Sequence, residues 1–239
     1  MNFVPNLDSD IHVWEIDTNE DNYLSCKNFT HVLSIQEKYK ANKFRFIQDY
    51  ERFIITYIAL RMLISYYIKI RPEEIVIHRS KYGKPYIQEI NKSNINFNLS
   101  HSNKKIIISF YIFDIGVDIE YIRTLTDIES ISKFIFSEQE QLILTRYVDD
   151  AKIYKFFEIW TKKEALLKAI GIGLNDYARN VYTNAYNNIY ILNNLPKSNM
   201  NFNIVEIHLT NKNYIANLAY ANIINPKIKY YIWDKFYLE

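Results

Sequence analysis

Between residues 11 and 17 the chain reads IHVWEID, an alternation of apolar and polar side chains that predicts a first strand, with His12 as a half-exposed strand residue rather than a ligand. Ser34 precedes IQEKYKANKFRF, and Glu37 three positions later has the spacing of a capping box, so a helix is predicted to start there. A longer, strongly apolar helix is predicted from about Asp49 to Ile70. It stops before Pro72, whose ring disfavours helix at the residue before it. IVIHR (75–79) predicts a strand and KYGKP (81–85) a turn. INFNLSHS (95–102) and KKIIISFYIF (104–113) predict two further strands, the second rich in β-branched residues.

Gly116 opens another strand, after which the period changes. DIESISKFIF (127–136) has helical spacing, FSEQEQLILTRY (136–147) continues after an N-cap at Ser137, and a long helix is predicted over Ala151 to Ile170. Gly171 and Gly173 stand where helices end. NIYIL (188–192), FNIVEIHL (202–209) and YIANLAYANI (214–223) close the chain as strands. Each half thus offers helices plus strands, which predicts an α+β fold of two lobes, 1–115 and 116–239, joined near residues 114 to 117. No Pro/Gly/Ser-rich linker separates them, so they are expected to pack tightly.

Composition narrows the function classes. Hydrophobic residues make up 49% and aromatics 16% of the 239 residues, enough for a packed core. The formal charge of +2, from 29 basic and 27 acidic residues, lacks the excess of a dedicated nucleic-acid binder. Any phosphate site must therefore be local. Cys26 is the single cysteine, which excludes an intramolecular disulfide and a Cys-based zinc site and fits a reducing, cytoplasmic setting. MNFVPNLDSDIHVW does not read as a signal peptide. The most apolar stretch, Phe53 to Ile70, is interrupted by Arg61 and Lys69 and reads as a core helix rather than a membrane span. Glycine is scarce: Gly83, Gly116, Gly171 and Gly173 are the only four, and each lies beside a charged motif.

The charged motif in GVDIEYIR (116–123) puts Asp118 and Glu120 on one face of a strand and Val117 and Ile119 on the other. On the pattern alone, a solvated face is the plainer reading. Like charges so close repel, however, and a proton, a cationic partner or a metal relieves them. Two hard oxygen ligands suit Mg²⁺, which commonly completes its shell with water and substrate phosphate. Such a site needs a third ligand. In WTKKEALLK (160–168), Trp160, Glu164 and Lys168 share one helical stripe; an exposed Glu–Lys pair there would contribute only roughly a few tenths of a kcal/mol. The neighbouring Phe156, Phe157, Leu166 and Leu167 argue that this part of the helix is not plain surface. Lys40, Arg52, Lys81, Lys84 and Lys163 each read singly as solvated cations, and His101 equally as a loop residue or a phosphate donor.

Read in order, KYGKP (81–85), FNLSHS (97–102), GVDIE (116–120), FSEQE (136–140) and WTKKEALLKAIGIGL (160–174) resemble the signature blocks of 4'-phosphopantetheinyl transferases of the Sfp type. KFRFIQDYERFIITYIALR (43–61) extends the resemblance, which covers about residues 34 to 174. It implies two similar-sized, pseudo-twofold-related lobes, each a small, mainly antiparallel sheet packed with helices. It also implies transfer of the phosphopantetheine arm of coenzyme A to a serine of an acyl or peptidyl carrier protein, releasing adenosine 3',5'-bisphosphate. Asp118, Glu120 and Glu164 would be the Mg²⁺ ligands, Glu164 the base for the carrier serine, and Lys168 a contact to the departing phosphate. Coenzyme A would be bound by Lys40, Arg52, Ser100 and His101 around its 3'-phosphate, by Lys84, in a turn with Lys81, Gly83 and Pro85, at its adenine end, and by Asp118, Lys163 and Lys168 as well. Lys163 would lie near the phosphates. A monomer without nucleic-acid or membrane partners is expected.

Some positions depart from the family pattern. Ile119 cannot coordinate anything, Glu37 stands where some members are basic, and Phe53 stands where some have a small hydroxyl residue. Glu140 matches a family glutamate, with a role either in proton transfer or in capping and packing. Two other classes compete. A Mg²⁺-dependent nuclease would want a lysine closely following an acid on a strand and a basic groove, and the near-neutral charge argues against it. A non-catalytic CoA- or carrier-binding module would not need all three acids together with Lys168.

Overall fold

The computed structural model describes residues 7, 10–88, 95–173, 178–183, 190–192, 200–221 and 225–233. The first part of the chain forms β1 (Ile11–Asp17), α1 (Glu20–Lys27), α2 (Ile35–Ala41), α3 (Ile47–Ile68), β2 (Ile77–Arg79), β3 (Pro85–Ile87), β4 (Asn96–Ser102) and β5 (Lys105–Tyr111). The second forms β6 (Ile115–Tyr121), α4 (Ile128–Ile135), α5 (Glu138–Leu144), α6 (Asp149–Ile170), β7 (Val181–Thr183), β8 (Tyr190–Leu192), β9 (Phe202–Glu206), β10 (Tyr214–Ala221) and β11 (Ile228–Ile232). Expectations for the first residues, for 188–189, for Leu174 and for 222–223 lie outside the described residues.

Local chemistry accounts for the helix ends. Ser34 caps α2 and Ser137 caps α5, each in a full capping box with Glu37 and Glu140 respectively. α3 ends two residues earlier than expected because Lys69 turns left-handed at φ 59° and returns its N–H to Ser65 at 2.8 Å. α6 begins two residues early, with Asp149 and Asp150 in a first turn that favours negative charge.

Strand alternation then divides the chain into layers. The first sheet has the order β11-β1-β5-β4 and the second β6-β10-β9; every pairing is antiparallel except β11 with β1. Trp14, Ile16, Ile106, Ile108 and Phe110 turn one face of the first sheet onto α3. Ile204, Ile215, Ala219 and Ala221 turn one face of the second onto α6. The alternate residues, including Val13, Ile107, Val117, Ile119, Ala216 and Leu218, form a third core where the sheets meet. The α+β fold with one long helix on each small sheet follows directly, and burial on both faces of the sheets leaves the lobes nothing to separate along.

Two expectations need correction. His12 is not half-exposed: it is fully buried on the α3 face, where its Nδ1 meets the Tyr67 hydroxyl at 2.8 Å. Burial, with Lys229 nearby, lowers its pKa to about 4. The chain also does not divide cleanly at 115/116. β11, which the pattern did not predict, adds to β1 in the first sheet, and Trp233 joins the first core and bonds to the Glu15 carbonyl at 2.8 Å. A further tie from the second half is Thr210, which donates to Glu15 at 2.7 Å beside the buried Lys105–Glu15 pair. Among the described residues, no helix is long and apolar enough to cross a membrane.

Candidate active site

β4 and β6 are the edge strands of their sheets, and α6 lies directly on β6. At Gly116 the approach is so close that a Cβ would fall 2.1 Å from the Ala165 carbonyl oxygen and 2.3 Å from the Ala169 nitrogen. Only glycine leaves that room. At its far end α6 is closed by Gly171 at φ 87°, whose N–H returns to Leu167 at 2.8 Å. The half-buried stripe of Trp160, Glu164 and Lys168 consequently stands over Asp118 and Glu120.

Asp118 is 4% exposed. Its Oδ1 accepts from Lys168 Nζ at 2.6 Å and from Ser100 Oγ at 2.8 Å, while Lys168 also donates to Ser100 Oγ and to the Val117 carbonyl. Lys168 thus turns to Asp118 on β6, and across the lobe junction to Ser100, rather than to Glu164 on its own helix. Asp118 Oδ2 and Glu164 Oε1 are buried without a hydrogen-bond partner. Glu120 Oε2 accepts from Ser102 Oγ at 2.9 Å. Burial, with Asp118 close by, raises the Glu120 pKa. The same two causes, only partly offset by Lys168, push Glu164 up to about 7. As the side chains stand, no group of three or more His, Cys, Asp or Glu among the described residues is arranged to hold a metal ion. The donors nevertheless suit one. Two orphaned buried oxygens, and two carboxyl groups raised by burial and by the nearby Asp118, are the surroundings a hard divalent cation relieves.

Beside these acids is a cavity of about 270 Å³ lined by Tyr57, Arg79, Gly83, Lys84, Pro85, Asn98, Leu99, Glu164 and Lys168, among others. A second, of about 130 Å³, is lined by Lys40, Phe44, Arg52, Phe53 and His101, and a third, of about 210 Å³, by Lys40, Tyr57 and Arg79. Tyr57 is a wall of all three. Lys40 stands over the Phe53 ring at 5.7 Å, and Arg52 pairs with Asp49. Arg79 is held by the Gly83 carbonyl at 3.0 Å and by the Tyr57 hydroxyl.

Several expected residues are placed otherwise. Lys163 does not face the phosphate side: it is fully buried on the opposite flank of α6, bonded to the Ala178 and Val181 carbonyls at 2.8 and 2.6 Å and paired with Glu140 at 2.8 Å. Its apolar stem follows the core while the ammonium finds acceptors there. Glu140 accordingly caps and pairs. Ser100 sits at Asp118 rather than with Lys40, Arg52 and His101. Lys84 reaches the Ile115 and Ala169 carbonyls at 3.1 and 2.9 Å, tying its turn to the start of β6 and the end of α6. Lys81 is exposed over the Tyr82 ring. Glu37 faces Arg61, which donates to both of its oxygens at 2.8 and 3.2 Å. Sequence reasoning missed Tyr57, Arg79, Asn98 and Ser102; for the last two the signal was present, since Asn98, Ser100 and Ser102 recur with the period of a strand.

Residues 114–219 match the family model described as "4'-phosphopantetheinyl transferase superfamily", and residues 21–110 match "4'-phosphopantetheinyl transferase, N-terminal". Among curated proteins, the chain is 32% identical over 170 residues to 4'-phosphopantetheinyl transferase HetI of Nostoc sp., covering 70% of this chain and 71% of that one. It is 29% identical to 4'-phosphopantetheinyl transferase gsp of Aneurinibacillus migulanus, over 67% of this chain and 63% of that one. With 4'-phosphopantetheinyl transferase Sfp of Bacillus subtilis the identity is 28%, over 62% and 65% respectively. The chain therefore spans just under two thirds of the last two. The crystal structure of holo-[acyl-carrier-protein] synthase from Neisseria meningitidis overlaps 46% of this chain and 97% of its own at 16% identity and a TM-score of 0.34, too slight a likeness to bear on the fold.

Proposed function

The chain belongs to the 4'-phosphopantetheinyl transferase family, and from that premise we propose that it transfers the phosphopantetheine arm of coenzyme A to a serine of an apo acyl or peptidyl carrier protein. The observation that carries this reading is Glu164: a carboxyl group pushed up to about 7 with a partnerless oxygen, set in the wall of the 270 Å³ cavity beside Asp118 and Lys168.

In the reaction, the carrier serine oxygen forms a bond to the β-phosphorus of coenzyme A. The bond from that phosphorus to the bridging oxygen breaks, and adenosine 3',5'-bisphosphate leaves with the electron pair. Glu164, directly or through a water it orients, takes the serine proton as general base. Lys168, in the same cavity wall, meets the charge that develops on the departing phosphate. Asp118, Glu120 and Glu164 would hold Mg²⁺, which when bound neutralises pyrophosphate charge. Positioning and charge neutralisation, rather than a covalent enzyme intermediate, supply the rate.

Lys40 and Arg52 would receive the 3'-phosphate, with His101 beside them in the adjoining cavity; burial, with Arg52 and Lys168 nearby, lowers the His101 pKa to about 4, so it would contribute a neutral N–H donor. The same reading has the protein act as a monomer in the cytoplasm, without nucleic acid or membrane, in keeping with its near-neutral charge and single buried cysteine. The test is incubation with coenzyme A, Mg²⁺ and a panel of apo carrier proteins, read by intact mass. One phosphopantetheine should be added, and a chelator should prevent it. Coenzyme A binding with no carrier modified anywhere in a broad panel would instead support a binding module.

A further inference from the structure

The two sheets are joined at their edges by side chains. β4 ends the first sheet and β6 the second, and no backbone pairing links these strands among the described residues. In its place, three polar residues spaced two apart on β4 meet successive groups of β6. Asn98 Oδ1 accepts the Val117 N–H at 2.9 Å, Ser100 Oγ donates to Asp118 Oδ1 at 2.8 Å, and Ser102 Oγ donates to Glu120 Oε2 at 2.9 Å.

The two hydroxyls are oriented the same way. Ser102 Oγ also accepts the Tyr121 N–H at 3.0 Å, and Ser100 Oγ also accepts from Lys168 at 3.0 Å. A hydroxyl has one proton to give, so each serine, accepting a hydrogen bond from a nitrogen, directs its own O–H to a carboxylate. Each acid is thereby held at one oxygen. In Asp118 the other oxygen, Oδ2, is buried without a partner.

We propose that Ser102 is a positioning residue for Glu120, and Asn98 one for the Val117–Asp118 backbone, the side chains of the first lobe presetting which carboxylate oxygens the second lobe offers to a divalent cation. The proposal rests on the transferase reading for the identity of that cation site. Because an outer partner acts only through the ligand it orients, and Ser102 lines none of the three cavities described, removing Ser102 should weaken metal binding by about 10–100-fold without touching the nucleotide contacts.

The test titrates Mn²⁺ into the full chain in the presence of coenzyme A, with bound metal read by electron paramagnetic resonance, and compares unfolding in EDTA. Ser102→Ala should bind Mn²⁺ about 10–100-fold more weakly, with an unchanged KM for coenzyme A at saturating metal and nearly unchanged unfolding in EDTA. Ser102→Thr, which keeps a hydroxyl, should recover most of the affinity. Wild-type Mn²⁺ affinity in Ser102→Ala, equal losses in the Ala and Thr variants, or a large loss of stability in EDTA would each overturn the proposal. A wild-type protein that binds Mn²⁺ but modifies no carrier would instead sink the transferase reading and leave the positioning role intact. Absence of Mn²⁺ binding by the wild type would end both.

Discussion

Glu140 and Lys163 lie 2.8 Å apart with each side chain 1% exposed. The pair joins α5 to α6 on the side away from the cavity, and burial lowers the Lys163 pKa against the pull of Glu140. Removing one partner leaves the other charge buried and alone, which typically costs about 3–5 kcal/mol. Lys163→Met and Glu140→Gln should therefore each be destabilised by about that much in urea melts, and the double variant by less than the sum. The KM for coenzyme A should stay at the wild-type value in whatever fraction remains folded. A stable Lys163→Met with a raised KM would return Lys163 to the phosphates.

The carboxylate cluster gives the metal-free protein a pH dependence of definite sign. Glu164 is raised from the ordinary 4.5 to about 7, so the folded state holds that proton more tightly than the unfolded chain does. The resulting stability is complete below pH about 4.5 and is lost as pH rises through about 7, a change on the order of 3 kcal/mol. In EDTA, Glu164→Gln should remove most of this decline between pH 5 and 8; in Mg²⁺, it should reduce transfer by several orders of magnitude. An unaltered pH slope in urea melts would show that Glu164 is not held among like charges.

Gly116 should tolerate no side chain. In Gly116→Ala the new methyl would overlap backbone atoms of α6, which cannot swing aside as a flexible side chain could. Overpacking of this kind costs roughly 1–3 kcal/mol or more, and here it also lifts Glu164 and Lys168 from Asp118. Activity should fall by more than the stability loss explains. Thermal melts and turnover measured at a temperature where the variant is fully folded separate the two effects.

The nucleotide end is tested by subtraction. Charge-assisted hydrogen bonds contribute about 1.5–3 kcal/mol each, so dephospho-CoA should bind about ten- to a thousandfold more weakly than coenzyme A if Lys40, Arg52 and His101 meet the 3'-phosphate. Lys40→Ala combined with Arg52→Ala should damage use of coenzyme A and leave use of dephospho-CoA almost unchanged. Arg52 is already paired with Asp49, so Lys40 should carry the larger share. Equal losses with both substrates, measured as kcat/KM, would move these cations to another role.

Much of the architecture is written in local chemistry. The capping boxes at Ser34 and Ser137, the alternation in IHVWEID and KKIIISFYIF, and Gly171 after the long helix act within a few residues; α2, α5, β1 and β5 begin, and α6 ends, within a residue or two of where these signals put them, while α5 stops three residues short of Tyr147. Strand and helix periods put Asp118 with Glu120, and Glu164 with Lys168, on one face each, but the pattern alone read both as solvated, and only the family resemblance grouped the four into a site. Only tertiary structure could decide the partners that lie far apart in the chain. The direction in which a lysine's long flexible stem runs depends on the acceptors around it: Lys168 turns to Asp118, Lys84 to the carbonyls of Ile115 and Ala169, and Lys163 away into the core with Glu140. β11 escaped prediction because its pairing with β1 joins the two ends of the described chain, and short strand patterns carry no mark of the strand they will meet. His12 shows the same principle: alternation assigned it a face of the sheet, but packing α3 onto that face is what buried it.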